Sequence, residues 1–209
     1  VPVILNISGH SVEEYAEITR RVDGAPGLSA IEVNISCPND ELGGMIFGVS
    51  PALSAQVVAA VRKVTSLPVI AKLSPNVTSI VEIARATVEA GADAVSVANT
   101  LVGMVIDIHK KRPVLANRIG GLSGPAVRPV MVRMVWEVAG ALDIPIIGIG
   151  GVLTASDALE FMMAGATAVQ IGAGIFRNPT APIDVIDGLN EFLVSERMSS
   201  AKELIGAAR

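Results

Sequence analysis

The sequence predicts an α/β fold, a TIM (β/α)8 barrel to which this chain supplies about six β-α units. Three observations predict it. Six short runs rich in Val, Ile and Ala alternate with stretches of helical length and pattern, the order that produces a parallel sheet covered by helices. The 209 residues are 51% hydrophobic but only 3% aromatic, so the core is aliphatic, as strands buried on both faces require. The last two runs pass directly into glycines, Gly148-Ile149-Gly150-Gly151 and Gly172-Ala173-Gly174, where a barrel commonly builds its phosphate site. No Gly-x-Gly-x-x-Gly follows the first run, which disfavours a dinucleotide-binding sheet.

The elements follow in order. Strands are predicted over 2–7, 31–36, 68–73, 94–99, 145–149 and 168–172. Most are apolar at successive positions, the mark of a wall covered on both sides. Ser11 with Glu14 forms a capping box for helix 11–22, its hydroxyl and carboxylate satisfying N–H groups at the helix start. Ser50 and Pro51 open helix 51–64, and Ser79 with Glu82 opens a third that Gly91 ends. Pro125 opens helix 125–140, and Thr154 with Asp157 caps helix 155–164, which stops at Gly165. Pro182 opens helix 182–195, and a short helix covers about 199–207. No linker interrupts the series, so residues 1–209 are expected to form a single, partial barrel domain. The chain begins at Val1 directly in a strand. The fold is therefore expected to start before it, leaving an open sheet bordered by strands 2–7 and 168–172.

Several function classes are disfavoured. Net charge is −4 and the basic residues are scattered, so no nucleic-acid footprint is present. Lys110-Lys111-Arg112 is the only basic run, and a solvated loop accounts for it. No stretch is both long and apolar enough for a membrane span. One cysteine excludes an internal disulfide and fits a reducing compartment, hence the cytoplasm. No metal site is expected.

Two constellations carry chemistry. In the glycine loops after the last two strands, backbone N–H groups can approach a phosphate closely, helped by the dipole of a following helix. The second is Asn34-Ile35-Ser36-Cys37-Pro38-Asn39 at the end of strand 31–36, the end where barrel chemistry sits. A lone cysteine is more often a small buried hydrophobe. This one lies among polar residues, and a thiol near its reference pKa of about 8.5 serves as a base if positioned. The following segment, Asp40 to Gly48, has the composition of a mobile lid and equally of a plain surface loop.

Asn-Ile-Ser-Cys-Pro-Asn followed by Gly43-Gly44-Met45-Ile46-Phe47-Gly48 resembles the dihydroorotate dehydrogenases that use a cysteine base. Further motifs agree in order along nearly the whole chain: Ala71-Lys72-Leu73-Ser74-Pro75-Asn76, Ala98-Asn99-Thr100, Gly120-Gly121-Leu122-Ser123-Gly124-Pro125 and Val169-Gln170-Ile171-Gly172. The Gly-Gly-x-x-Phe-Gly segment is most similar to the subclass whose catalytic subunit pairs with an iron–sulfur flavoprotein. The resemblance implies oxidation of dihydroorotate to orotate in pyrimidine biosynthesis. Cys37 would remove the proton from C5, and the C6 hydride would pass to FMN. It implies FMN contacts from Asn6, Asn34, Lys72, Ala98, Gly124, Gly150, Gly151, Gly172 and Ala173, and substrate contacts from Asn34, Asn99 and Thr100. It also implies a homodimer and an electron-transfer subunit carrying FAD and an iron–sulfur centre, linking to NAD.

Two departures stand out. Ala173 stands where the family often has Thr, which leaves the backbone N–H in place. The family's first two strands, with another lysine near the flavin and an Asn-rich substrate loop, would precede Val1. The isolated chain is accordingly expected to be low in flavin and inactive. His10 and His109 match no catalytic position and read as surface residues. Two alternatives stay open: another FMN- or phosphate-binding barrel oxidoreductase of pyrimidines, and a non-catalytic fragment of such an enzyme.

Overall fold

Parallel strands occupy all six predicted runs: β1 (Val3–Ile7), β2 (Leu28–Asn34), β3 (Val69–Lys72), β4 (Ala94–Val97), β5 (Ile146–Ile149) and β6 (Ala168–Gln170). The computed structural model describes residues 1–36 and 47–209. Contacts divide the chain into two compact units, residues 1–94 with 99–122, and residues 95–98 with 123–209.

In the first unit β1, β2 and β3 pair in parallel, with Asn6 opposite Glu32 and Asn34 opposite Lys72. Ala30, Ile31, Glu32 and Val33 are buried in succession, as in a strand covered on both faces. Helices α1 (Val12–Val22), α2 (Pro51–Arg62) and α3 (Ile80–Glu89) pack side by side. They bury Tyr15, Val57, Val58, Val61 and Ile83 with Ile31, Val33, Val69 and Ala71 of the strands. Phe47 closes this core edge-on against Tyr15, ring centroids 5.9 Å apart.

In the second unit β5 lies between β4 and β6, with Val97 opposite Gly148 and Gln170 opposite Ile149. It carries α4 (Arg128–Ala141), α5 (Ala155–Ala164), α6 (Gly174–Arg177) and α7 (Ala181–Ser195). α5 packs on both α4 and α7. Met131, Met134, Val135, Ile146, Phe161 and Met162 make the core.

The capping residues act largely as the sequence predicts. Ser11, Ser50, Ser79 and Thr154 each accept an N–H from the first helical turn. Thr154 and Asp157 form a complete box. On α1 the box is only half made, because the Glu14 carboxylate accepts from the N–H of His10 at 2.7 Å, one residue before the cap.

Three elements differ most from expectation. β2 begins at Leu28 and ends at Asn34. The predicted helix 125–140 is a 3-10 turn, Pro125–Val127, followed by α4; Pro129, at the start of α4, lacks an N–H and marks a second beginning. The predicted helix 199–207 is only a 3-10 turn over Ala201–Leu204, and Gly206 follows at φ +74°. Two short antiparallel pairs were not predicted: Leu101–Gly103 with Gly120–Leu122, and Ile106–Asp107 with Arg112–Pro113. Among the described residues, no helix is long and apolar enough to cross a membrane.

Candidate active site

Strand register gathers the first group of polar side chains. Alternate residues of a strand share a face, so Glu32 and Asn34 of β2 point the same way. Their register partners are Asn6 of β1 and Lys72 of β3. Asn6 Nδ2 donates to Glu32 Oε2 at 2.6 Å, and Lys72 Nζ lies 3.7 Å from the same oxygen. The Glu32 side chain is 5% exposed and that of Lys72 16%. Sequence reasoning named Asn6, Asn34 and Lys72 but missed Glu32. The available signal was a carboxylate inside the apolar run Ala30-Ile31-Glu32-Val33, where a charge is costly unless paired.

A second group forms where β2 and β4 run out. Asn99 Nδ2 donates to Asn34 Oδ1 at 3.3 Å, Ser36 Oγ at 2.9 Å and the Ser36 carbonyl at 3.2 Å. Ser36 Oγ also donates to Asn34 Oδ1 at 3.0 Å. Asn34 and Asn99, predicted separately from different motifs, are thus in contact, and Ser36 joins them. Thr100 follows with its N–H on Asn99 Oδ1 at 2.9 Å. Asn76, in the loop after β3, clasps this segment. Its Nδ2 donates to the Thr100 carbonyl at 3.0 Å and its Oδ1 accepts from Val102 N at 2.9 Å. A planar amide that donates and accepts in this way imitates a neighbouring strand.

Cys37 lies outside the described residues, as does the expected lid apart from Phe47 and Gly48. Those two are buried. The Phe47 carbonyl accepts from Ser54 Oγ at 2.7 Å, which anchors the end of that segment to α2.

The second unit holds the remaining candidates. Ala98 is buried and its N–H donates to the Ile149 carbonyl at 3.3 Å. Gly124, Gly150 and Gly151 have φ of +91°, +128° and +79°, values that side-chain-bearing residues rarely adopt. A Cβ on Gly151 would lie 2.8 Å from the Gly124 carbonyl oxygen and 2.9 Å from Arg128 Cβ. Gly172 differs, since a Cβ there would meet nothing within 4 Å. Gly172 and Ala173 are exposed and lead into α6, their carbonyls accepting from Ile175 and Phe176 N at 3.2 Å each. Glycines at the ends of two neighbouring strands leave main-chain N–H groups that an anion could approach. Arg128 is engaged elsewhere, with Asp157 and with Glu160 at 3.1 Å.

Amides and a lysine gathered at strand ends in the first unit, and glycine loops after the last two strands in the second, mark the carboxyl ends of the strands, where α/β enzymes bind their ligands. Residues 1–193 match the family model described as dihydroorotate dehydrogenase, and the chain belongs to that family. It is 54% identical over 206 residues to the catalytic subunit of dihydroorotate dehydrogenase B (NAD(+)) from Geotalea uraniireducens, covering 99% of this chain and 68% of the relative. The catalytic subunit of the same name from Desulforudis audaxviator is 55% identical over 208 residues, 100% of this chain and 68% of the relative. The corresponding subunit from Desulforamulus reducens is 54% identical over 206 residues.

Proposed function

We propose that this chain oxidises dihydroorotate to orotate in pyrimidine biosynthesis, with Cys37 as general base and FMN as the flavin. The observation that carries the proposal is the contact of Asn99 with Asn34 and Ser36. It joins two motifs distant in sequence at the residue preceding Cys37. Amides that both donate and accept suit the imide-like edge of a pyrimidine, so Asn34, Asn99 and Thr100 bind and orient the ring. Cys37 takes the proton from C5. That proton is acidified by the adjacent carbonyl, so a positioned weak base suffices.

FMN bound by these residues would supply the acceptor for the hydride leaving C6. Lys72 would hold the flavin ring with its positive charge and stabilise the negative charge that grows there. Asn6 and Asn34 contribute polar contacts to the ring, and Ala98 and Gly124 contribute backbone contacts. Gly150, Gly151, Gly172 and Ala173 would hold the FMN phosphate. Residues 1–209 form a single, partial barrel domain in this proposal, and the protein works in the cytoplasm as a homodimer. An FAD and iron–sulfur subunit carries electrons to NAD; support for it lies in the relatives' designation as NAD(+)-linked catalytic subunits.

The test is turnover of dihydroorotate by the full-length protein and its Cys37→Ala variant. Flavin bound in both, with turnover only in the parent, supports the assignment. Flavin bound in neither, or equal turnover in both, overturns it.

A further inference from the structure

Among the described residues two carboxylates are buried, Glu32 and Asp157. Asp157 caps α5, accepting from Leu153 and Thr154 N at 2.9 and 2.8 Å. Glu32 is placed differently. It sits in mid-strand, 4% exposed, and its partners include side chains on the two flanking strands, Asn6 and Lys72. A buried ion pair of this kind contributes little to folding, because well-packed apolar residues commonly do as well or better. The pair therefore calls for an explanation beyond stability. Its geometry also matters: at 3.7 Å the ammonium is in Coulombic contact with the carboxylate but outside the usual hydrogen-bond range.

We infer that Glu32 is a positioning residue for Lys72. It holds the ammonium on the face shared with Asn6 and Asn34, and it offsets part of the positive charge offered to the flavin. Asn6 keeps the carboxylate in place from the opposite strand. The inference rests on the flavin reading above and adds a residue that sets the electron affinity of the site. A negative charge beside Lys72 opposes the arrival of further negative charge, so its removal favours the reduced flavin.

The experiment compares Glu32→Gln, Glu32→Asp, Lys72→Met and the double variant Glu32→Gln/Lys72→Met in the full-length protein. The first readout is the midpoint potential of bound flavin. Glu32→Gln preserves shape and removes charge, so it should raise the potential. Glu32→Asp preserves charge and alters shape, so it should stay close to the parent. A merely structural Glu32 gives the reverse ranking, and that result overturns the inference.

The second readout is the melting temperature of flavin-free protein. Lys72→Met strands a buried carboxylate and should lower it, and adding Glu32→Gln should recover part of the loss. Losses that simply add refute the pairing. A parent protein that takes up no flavin refutes the proposed function instead, while the melting series still decides whether the pair is coupled.

Discussion

Asn99 and Asn34 touch through their side-chain amides, Nδ2 to Oδ1 at 3.3 Å, across 65 residues of sequence. The Asn99 amide nitrogen faces only oxygens among its named partners. Replacing it with Ala removes donors from a half-buried cluster and, in the proposed function, from the pyrimidine. Asn99→Ala should weaken orotate binding by about 1–3 kcal/mol and leave flavin retention nearly unchanged. Asn99→Asp should be worse, since it sets a carboxylate oxygen against three acceptors. Titration calorimetry with orotate separates the two, and equal loss of orotate and flavin would show that Asn99 serves the fold instead.

Cys37→Ala should retain flavin and lose turnover by roughly 10²–10⁴-fold, the usual reach of a general base. Stopped-flow reduction of the flavin by dihydroorotate reads this step directly. A reduction rate near that of the parent would remove Cys37 from the mechanism.

The two kinds of glycine in the second unit make different probes. A bulky residue at Gly151 meets backbone at 2.8 Å and requires φ of +79°, so Gly151→Val should cost folding as well as ligand. Gly172→Ala is the cleaner test, because its Cβ meets nothing within 4 Å. It should melt like the parent. If its methyl displaces one phosphate contact, flavin affinity should fall by about 1.5–3 kcal/mol. Unchanged flavin content after dialysis would place the phosphate elsewhere.

The Asp157 carboxyl titrates below its ordinary value of 3.8. Burial alone would raise it. The N–H groups of Leu153 and Thr154, the Thr154 hydroxyl and the Arg128 guanidinium outweigh burial and lower it. The unfolded chain therefore binds this proton more readily than the folded one, and stability rises with pH through this range. The contribution is complete above the ordinary value and is lost as pH falls through the lower folded one. Asp157→Asn should flatten the acid limb of a plot of melting temperature against pH. Asp157→Ala should cost about 2–3 kcal/mol at neutral pH, because the N–H groups it satisfies lose their acceptor.

Much of this architecture was legible from local signals. The six parallel strands lie where apolar β-branched runs lie, and the helices start where Ser11, Ser50, Ser79 and Thr154 offer an oxygen to the first turn. The antiparallel pairs within 101–122 escaped notice because strands of two or three residues set up no periodicity. Their apolar residues, among them Met104, Val105, Ile106 and Ile108, are exposed, so hydrophobicity there does not mark a core. Asn76 was quoted only as part of a motif. Its role consists of two bonds to backbone 24 and 26 residues further on, and no local pattern encodes those. Glu32 was legible in principle, as a charge in a buried run, yet its meaning depends on β1 and β3 being its neighbours.

Thr100 is held at both backbone groups, its carbonyl by Asn76 and its N–H by Asn99, and Gly121 approaches its side chain so closely that a Cβ there would overlap Thr100 Oγ1. The consequence is entropic. The freedom of this residue is surrendered when the chain folds, before any ligand arrives, so a molecule that grips Thr100 forfeits little more. The ordering cost of Thr100 itself is thereby moved from the binding step to the folding step.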